Sequence, residues 1–168
     1  MGRSCFENRQ IFRYKRGACR EKTRKDKTTD GRPNFSYHTD FSGHPLVQLD
    51  SGINGIAQVK HMGEPRRPAI LTRSSEHKAG SNETPWQDFY NVEKGHIRYF
   101  GDNKDSRDPL EAQGNRNLLE QFKLHTSNEV NTRIKACPIV FFKSVSLDGK
   151  VKGFVQFNGF GIINKAER

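Results

Sequence analysis

Apolar and polar residues alternate in short runs from about residue 41 to the C-terminus, and glycine or proline interrupts most of these runs. Alternation with a period of two is typical of half-buried strands, whereas Gly and Pro clusters are typical of turns. The pattern predicts two short strands within residues 44–60, separated by Asp50-Ser51-Gly52, and a further strand at residues 69–72. We therefore expect a sheet-rich domain in which most strands are short.

Residues 84–104 combine a predicted hairpin with a concentration of aromatic side chains. Alternating residues lead into Glu93-Lys94-Gly95 from Tyr90 and out of it from Ile97. Gly95 can adopt the positive φ that a tight turn requires, so the segment is predicted to fold back on itself. The result would be a hairpin with aromatic residues on one face and an aspartate at each open end.

The C-terminal half carries the clearest helix signal and the clearest turn signal. Leucine and phenylalanine recur at helical spacing over residues 116–124, and Asn115 is the predicted N-cap. The continuous apolar run Ile139-Val140-Phe141-Phe142 predicts a strand that is buried on both faces, and Asp148-Gly149 predicts a hairpin. The whole pattern favours an α+β or mostly β fold with six or seven strands and one or two helices.

The first 38 residues differ in composition from the rest of the chain. Eleven lysines and arginines stand there against four acidic residues, and no apolar periodicity survives between residues 13 and 27. Such a segment buries too little apolar surface to order itself, so we expect a flexible basic arm at residues 1–38 and one folded domain at residues 39–168. The formal net charge of +10 makes a polyanion such as nucleic acid the expected partner.

The three cysteines, Cys5, Cys19 and Cys137, indicate a reducing compartment. They are odd in number and widely spaced and form no CxxC pair, which argues against both a disulfide framework and a structural zinc site. No run approaches 18 apolar residues, and no apolar segment follows the basic residues at the N-terminus. We expect a cytoplasmic protein with no membrane partner.

A catalytic role finds weak support in the sequence. Asp50 with Gln58 and Lys60 resembles the divided acid and Lys set of Mg²⁺-dependent nucleases, but the spacing is short and Gln is a weak metal ligand. The six histidines show no metal-binding spacing, and no loop ending in GK[ST] supports nucleotide hydrolysis. We expect no catalytic residue, metal or cofactor in this chain, and we keep a Mg²⁺-dependent DNA endonuclease as an alternative.

The aromatic and acidic residues of the central hairpin suit the recognition of a base. Trp86, Tyr90 and Tyr99 offer rings on which an extruded base can stack, and Asp88 and Asp102 can accept a hydrogen bond from the exocyclic amino group of cytosine. The competing interpretation is that the rings only pack the core and that the aspartates only cap turns. Both interpretations stay open on residue types alone.

The hairpin and the helix that follows it resemble the N-terminal recognition domain of AspBHI-type restriction endonucleases. The resemblance rests on Pro85-Trp86-Gln87-Asp88, on the segment GHIRYFGDNK at residues 95–104, and on Gly114-Asn115 followed by Leu118-Leu119. Those enzymes cut DNA that contains 5-methylcytosine, and their recognition domain is similar to the SET- and RING-associated (SRA) base-flipping fold. The resemblance implies a twisted, β-barrel-like sheet with one or two flanking helices. It also implies a nuclease domain, which would lie outside this chain or on a separate subunit.

The resemblance thus implies a double-stranded DNA-binding module of a bacterial or archaeal restriction system. It would recognise modified cytosine, 5-methylcytosine above all, by base flipping, and would be non-catalytic on its own. The residues expected to contact the DNA backbone are Lys60, Arg66, Arg67, Arg73, Lys104 and Arg116. A non-specific nucleic-acid binder that depends on its basic arm is the remaining alternative.

Overall fold

The computed structural model describes residues 7–14, 32, 35, 40–41, 44–45, 49, 51–75, 87–91, 93–102 and 108–167. The strands are β1 (Ile11–Arg13), β2 (Asp40–Phe41), β3 (His44–Pro45), β4 (Ile53–Gly55), β5 (Val59–His61), β6 (Glu64–Arg66), β7 (Ile70–Ser74), β8 (Phe89–Asn91), β9 (His96–Arg98), β10 (Ile139–Leu147) and β11 (Lys150–Gly161). The helices are α1 (Gln113–His125), preceded by a 3₁₀ turn at Pro109–Glu111, and the short α2 (Val130–Arg133).

Five strands form one sheet in the order β1-β11-β10-β7-β4. β10 runs parallel to β7, and the other neighbours are antiparallel. The remaining strands pair as three small hairpin-like ribbons, β2-β3, β5-β6 and β8-β9. In the described part of the chain the five-stranded sheet keeps β1 and β4 as edge strands and does not close on itself. The prediction of an α+β, sheet-rich domain is therefore confirmed.

The hairpin between β10 and β11 follows the predicted turn. Asp148 and Gly149 have φ of 50° and 72°, so both central residues adopt the left-handed conformation that a two-residue hairpin turn requires. Gly tolerates this conformation without steric cost, and Asp is among the few other residues that adopt it often. Ile139 and Val140 at the start of β10 are both buried, as predicted for a strand covered on both faces.

Helix α1 has the predicted position, but Asn115 does not cap it. The helix begins at Gln113, and Ala112 is the N-cap residue. The Asn115 amide instead connects two loops: its Oδ1 accepts from the Asp102 N–H at 2.8 Å, and its Nδ2 donates to the carbonyls of Asp102 and Pro109, each at 2.8 Å. The expected cap is wrong because these tertiary partners engage the amide that a cap would need.

The sheet has two unlike faces. The first, the core face, packs the large apolar cluster Phe12, Phe35, Leu49, Ala69, Leu71, Val140, Phe142, Val155 and Phe157. The second, the site face, carries a smaller cluster of Ile53, Ile70, Cys137 and Ile139, against which Leu118 of α1 packs. α1 therefore covers one half of the site face. The other half lies beneath the ribbon β8-β9.

Part of the predicted N-terminal arm belongs to this fold. β1 pairs antiparallel with β11, and the Phe12 side chain is fully buried. Phe35 is 1% exposed and packs edge-on against Phe12 and Phe142. The expectation of a separate arm is thus wrong for residues 11–13 and 35. The short strand β1 is ordered because it pairs with the long strand β11 and buries Phe12. Residues 15–31, with the densest basic sequence, lie outside the described residues.

No helix in the described part of the chain is long and apolar enough to span a membrane.

Candidate functional site

A cavity of about 550 Å³ lies between the site face of the sheet and the ribbon β8-β9. Its floor comes from alternate residues of three neighbouring strands, Thr72 and Ser74 on β7, Phe141 and Lys143 on β10, and Gln156 and Asn158 on β11. Its roof comes from the ribbon. The cavity exists because these strands present polar or ring-bearing side chains where α1 no longer covers the sheet.

The ribbon β8-β9 is held together by its own pairing and is joined to the sheet by a hydrogen bond from Tyr90. Tyr90 lies opposite Ile97 in the register, and both side chains line the cavity. Gly95 has φ of +59° at the turn, as predicted from the sequence. The Tyr90 hydroxyl donates to the carbonyl oxygen of Asn158 on β11 at 2.6 Å, which joins the roof to the floor. Phe89 and Arg98 alternate to the outer side and are exposed.

Asp88 precedes β8 and is the only acidic residue among the described residues that line the cavity. Its Oδ1 accepts the backbone N–H of Phe100 at 3.0 Å, and the Ser74 hydroxyl donates to the same carboxylate. Burial nevertheless raises the pKa of Asp88 above its ordinary value, because the desolvation of the charged form outweighs both hydrogen bonds. The cavity therefore contains a carboxylate that is held in place and incompletely solvated.

Tyr99 follows β9 and adds a ring and a hydroxyl to the cavity wall. Burial raises the pKa of its hydroxyl strongly, and the negative charges of Asp102 and Asp88 raise it further. The hydroxyl consequently keeps its proton and can act as a hydrogen-bond donor. Gly52 makes room for this group, since a Cβ at position 52 would lie 2.8 Å from the Tyr99 hydroxyl oxygen and 2.5 Å from Asp102 Oδ1.

Asp102 lies behind Tyr99 and is not one of the residues that line the cavity. Its backbone is fixed from both sides by Asn115, and its carboxylate faces Gly52. The structure thus brings together Asp88, Tyr90 and Tyr99 of the predicted base pocket and places Asp102 next to them. Trp86 lies outside the described residues.

The predicted DNA-backbone residues are spread over the molecule, and several of them bind carbonyl groups of their own chain. Arg66 donates to the carbonyl oxygen of Ile134 at 2.6 Å and Arg67 to that of Ile56 at 2.7 Å. Arg116 donates to Glu111 at 2.8 Å, and the Arg73 guanidinium lies 4.6 Å from the centre of the Tyr14 ring. Lys60 is exposed on β5, and Lys104 lies outside the described residues.

Two basic residues of the cavity wall were missed by the sequence interpretation. Arg9 precedes β1, and Lys143 follows Phe142 in β10. The signal for Lys143 was present, because a charged residue that continues an apolar strand run must face something polar. The sequence contains no signal for Arg9, because nothing distinguishes it from the other ten lysines and arginines of residues 1–38.

The alternative nuclease set is only partly described. Gln58 and Lys60 are exposed, and Asp50 lies outside the described residues. Within the described ranges, no group of three or more His, Cys, Asp or Glu side chains is arranged to hold a metal ion.

Comparisons with known proteins give one family and two similar structures. The family described as restriction endonuclease AspBHI N-terminal matches residues 34–167. The restriction endonuclease MspJI, solved in complex with a 27-mer oligonucleotide, is 37% identical with a TM-score of 0.74, and the match covers 95% of this chain. The DNA recognition domain of LpnPI, a cytosine modification-dependent restriction endonuclease, is 23% identical with a TM-score of 0.52, over 69% of this chain and 48% of that one.

The matches cover most of this chain but only part of the proteins to which it is similar. The chain spans 37% of the length of the MspJI chain, so the match concerns one part of that enzyme. The likeness to LpnPI concerns the fold. A comparison with curated proteins gave no match. Because the family match extends over most of the chain, including four of the five strands of the sheet, the ribbon β8-β9 and both helices, this protein belongs to the family of the AspBHI restriction endonuclease N-terminal domain.

Proposed function

We propose that this chain is a double-stranded DNA recognition module of a restriction system and that it binds modified cytosine, 5-methylcytosine above all. The modified base would leave the duplex and enter the cavity beneath the ribbon β8-β9. The observation that carries the proposal is the position of Asp88, a fixed and partly desolvated carboxylate in a ring-lined cavity. The comparisons support the same function, since the family is that of a restriction endonuclease domain and the similar LpnPI domain recognises DNA for a cytosine modification-dependent restriction endonuclease.

The size and lining of the cavity suit one nucleobase. Its volume falls in the range of about 300–1,000 Å³ that is usual for small-molecule sites. Tyr90, Tyr99 and Phe141 supply rings against which a base can pack, and such stacking contributes about 1–3 kcal/mol per base. Extrusion of the base from the duplex costs a few kcal/mol of lost stacking and pairing. The contacts of the base inside the cavity must therefore be more favourable than this cost.

Hydrogen bonds would distinguish cytosine from the other bases. The carboxylate of Asp88 can accept from the exocyclic amino group, and the protonated hydroxyl of Tyr99 can donate to an acceptor on the same edge. The apolar parts of Ile97 and Phe141 offer contact surface for a methyl group. Asp88 takes the base-reading role that the sequence interpretation divided between Asp88 and Asp102, because Asp88 alone of the two lines the cavity.

Phosphate contacts would supply most of the affinity and none of the specificity. We assign them to Lys60, Arg66, Arg67, Arg73, Lys104 and Arg116. Arginines that already donate to a carbonyl keep further N–H groups for phosphate, since the guanidinium has five donors. The basic run within residues 15–27 would add contacts to the DNA backbone, and the complete sheet would have the SRA-like, barrel-like curvature expected from the sequence.

Cleavage would belong to a nuclease domain or subunit outside this module, in the cytoplasm of a bacterium or an archaeon. The described residues of the present chain then position the DNA and select the modified site.

Titration of the protein against matched duplexes tests the proposal. The two duplexes differ only in one 5-methylcytosine, and fluorescence anisotropy measures each affinity at fixed salt. We expect tighter binding of the methylated duplex by at least about tenfold, which corresponds to about 1.4 kcal/mol. Equal affinities for the two duplexes, with binding that still responds to salt, would identify a non-specific binder instead.

A further inference from the structure

We infer that the base that enters the cavity is bound together with about one additional proton, which Asp88 shares with the ring nitrogen N3 of cytosine. This inference rests on the proposed function, because it requires a cytosine edge in contact with Asp88. It adds a protonation state and a pH dependence that the cavity alone does not specify.

The hydrogen-bonding edge of cytosine creates the requirement. Cytosine presents the amino group at C4 as a donor directly beside N3, which is an acceptor. An ionised carboxylate is an acceptor only. A carboxylate that contacts both positions edge-on would satisfy the amino group but would face the lone pair of N3 with a lone pair of its own. One shared proton converts this repulsive contact into a second hydrogen bond, whether it is formally held by the carboxyl group or by N3.

The local structure of Asp88 favours this arrangement. Oδ1 is held by the Phe100 N–H, and the Ser74 hydroxyl also donates to the carboxylate, so the orientation of the group is set before a ligand arrives. Burial already raises the pKa of Asp88 in the empty cavity. A base that fills the cavity removes more water from the carboxylate and therefore moves its pKa further in the same direction.

Charged groups around the cavity act in both directions. Lys143 on β10 and Arg9 before β1 line the cavity, and Arg73 on β7 lies close enough to Tyr99 to lower the pKa of its hydroxyl. A cation favours the ionised form of a nearby carboxylate. Asp102, on the far side of Tyr99, disfavours it. Tyr99 itself stays protonated and contributes no charge. Burial is the largest influence on the carboxyl group of Asp88 and raises its pKa, against the hydrogen bonds from the Phe100 N–H and the Ser74 hydroxyl.

Calorimetric titration of the wild-type chain counts the protons directly. Titrations at pH 7.5 in two buffers with different ionisation enthalpies give the number of protons taken up with each duplex. We expect uptake to approach about one proton with the 5-methylcytosine duplex and to stay near zero with the unmodified duplex. The preference for the modified duplex should fall as the pH rises towards 8.5, by up to about tenfold per pH unit.

Two substitutions at Asp88 separate a shared proton from a bare carboxylate. The carboxamide in Asp88→Asn has the shape and donor–acceptor pattern of a protonated carboxyl group, because its oxygen accepts from the amino group and its NH₂ donates to N3. Asp88→Asn should keep the preference within about threefold of wild type and lose the pH dependence. Asp88→Ala should lose the preference. Thermal unfolding of both variants shows that each one folds.

The outcomes distinguish this inference from the proposed function. If the wild-type chain has no preference for the modified duplex at any pH, the proposed function itself fails. If the preference is present but proton uptake is absent, the carboxylate reads the base in its ionised form and only the present inference is overturned. A loss of preference in Asp88→Asn as large as in Asp88→Ala would lead to the same conclusion. The wild-type calorimetry decides the question even if a variant does not fold.

Discussion

The two faces of the five-stranded sheet come from alternate residues of the same strands, yet they are completed in opposite ways. On the core face, Phe142 of β10 meets Phe35 and Phe157 with ring centroids 5.0 and 5.8 Å apart, and all three rings are almost fully buried. On the site face, the neighbouring Phe141 and Lys143 border a cavity. A single strand therefore carries dense apolar packing on one side and polar, partly open space on the other.

The core face stabilises the folded domain, whereas the cavity on the site face contains groups whose burial destabilises it. Burial of apolar rings contributes about 1.5–3 kcal/mol each, and the core face holds several of them. The buried apolar cluster of the site face lies where α1 covers it, around Ile70 and Ile139. In the cavity, Asp88 is held by a backbone N–H and is still less stable as an anion than it would be in water. The apolar packing on the core face thus offsets the unfavourable burial of the Asp88 carboxylate in the cavity.

The largest effect is expected on the core face. Phe142→Ala should lower the free energy of unfolding by about 3–5 kcal/mol, because it removes a ring that is 2% exposed and leaves a cavity. Denaturant unfolding measures this loss. Phe160→Ala is a matched control, since Phe160 touches Phe157 but is 63% exposed, and its replacement should cost less than about 1 kcal/mol. Equal losses for the two variants would show that the burial of a ring does not determine its contribution to stability.

Salt should separate general DNA binding from recognition in the cavity. With about five phosphate contacts, the affinity for any duplex should fall with a log–log slope of about −4 to −5, since each contact releases condensed counterions. The ratio of modified to unmodified affinity should change little over the same range, because the cavity contacts involve no phosphate. Anisotropy titrations between 50 and 200 mM salt measure both quantities. A slope near zero would contradict DNA binding through this basic surface.

Removal of the cavity carboxylate should affect recognition and spare the fold. Asp88→Ala should reduce the preference for the modified duplex by about 1.5–3 kcal/mol, the contribution of a hydrogen bond that involves a charged group. Since the pKa of Asp88 is raised in the folded chain, its anion opposes folding at neutral pH. The wild-type chain should therefore gain stability relative to Asp88→Ala as the pH falls from neutral towards the ordinary carboxyl pKa, which thermal unfolding measures. A variant that keeps the preference would exclude Asp88 as the base-reading group.

A smaller, pH-dependent effect is expected at the α1-covered half of the site face. The Ile163 N–H donates to Nδ1 of His125, so the proton of the neutral ring lies on Nε2 and points to the Cys137 carbonyl oxygen. Burial lowers the pKa of His125, which means that the folded chain favours the neutral ring. This contribution to stability is complete above the ordinary pKa of about 6.5 and is lost as the pH falls through it towards the lower pKa of the folded state.

Denaturant midpoints between pH 8 and pH 5 test this prediction. The fall in stability below about pH 6.5 should be smaller in His125→Gln than in wild type. His96→Gln, at an exposed position of the ribbon β8-β9, serves as the control and should retain the wild-type fall. Identical pH profiles for wild type and His125→Gln would show that the ring does not bind its neighbours in the neutral form.

The smallest effect is expected at Asp102. Its backbone contacts with Asn115 survive substitution, and its side chain does not line the cavity. Asp102→Ala should change the preference for the modified duplex by less than about threefold, or less than about 0.7 kcal/mol. The same titrations as for Asp88→Ala measure it. A collapse of the preference in Asp102→Ala would transfer the base-reading role from Asp88 to Asp102.

Local signals in the sequence predicted the elements better than they predicted which elements meet. The turns at Gly95 and at Asp148-Gly149 were predicted correctly, because each needs a positive φ that few residues tolerate. The parallel pairing of β7 with β10 joins segments that are 69 residues apart and leaves no local mark on either strand. Asn115 had the residue type of a cap, and only the tertiary position of Asp102 and Pro109 redirected its amide.

The candidate site shows the same limit. Asp88 and Asp102 are equivalent as acceptors in the sequence, since Asp88 directly precedes Phe89 and Asp102 lies two residues after Phe100. They differ because Asp88 lies over the open half of the sheet, whereas Asp102 lies near Gly52 and is anchored to α1 through Asn115. Which half of the sheet is open depends on the position of the helix, and that position depends on the packing of Leu118 on the site face.

The pairing of β1 with β11 has a consequence for how the chain is made. In the described part of the chain Ile11 pairs with Gln156, so this pairing cannot form until almost the whole domain has been synthesised. Closing so long a loop is slow, because the entropy of the intervening chain is lost before the contact is gained. The contacts between β1 and β11 therefore form late, after β11 has been synthesised.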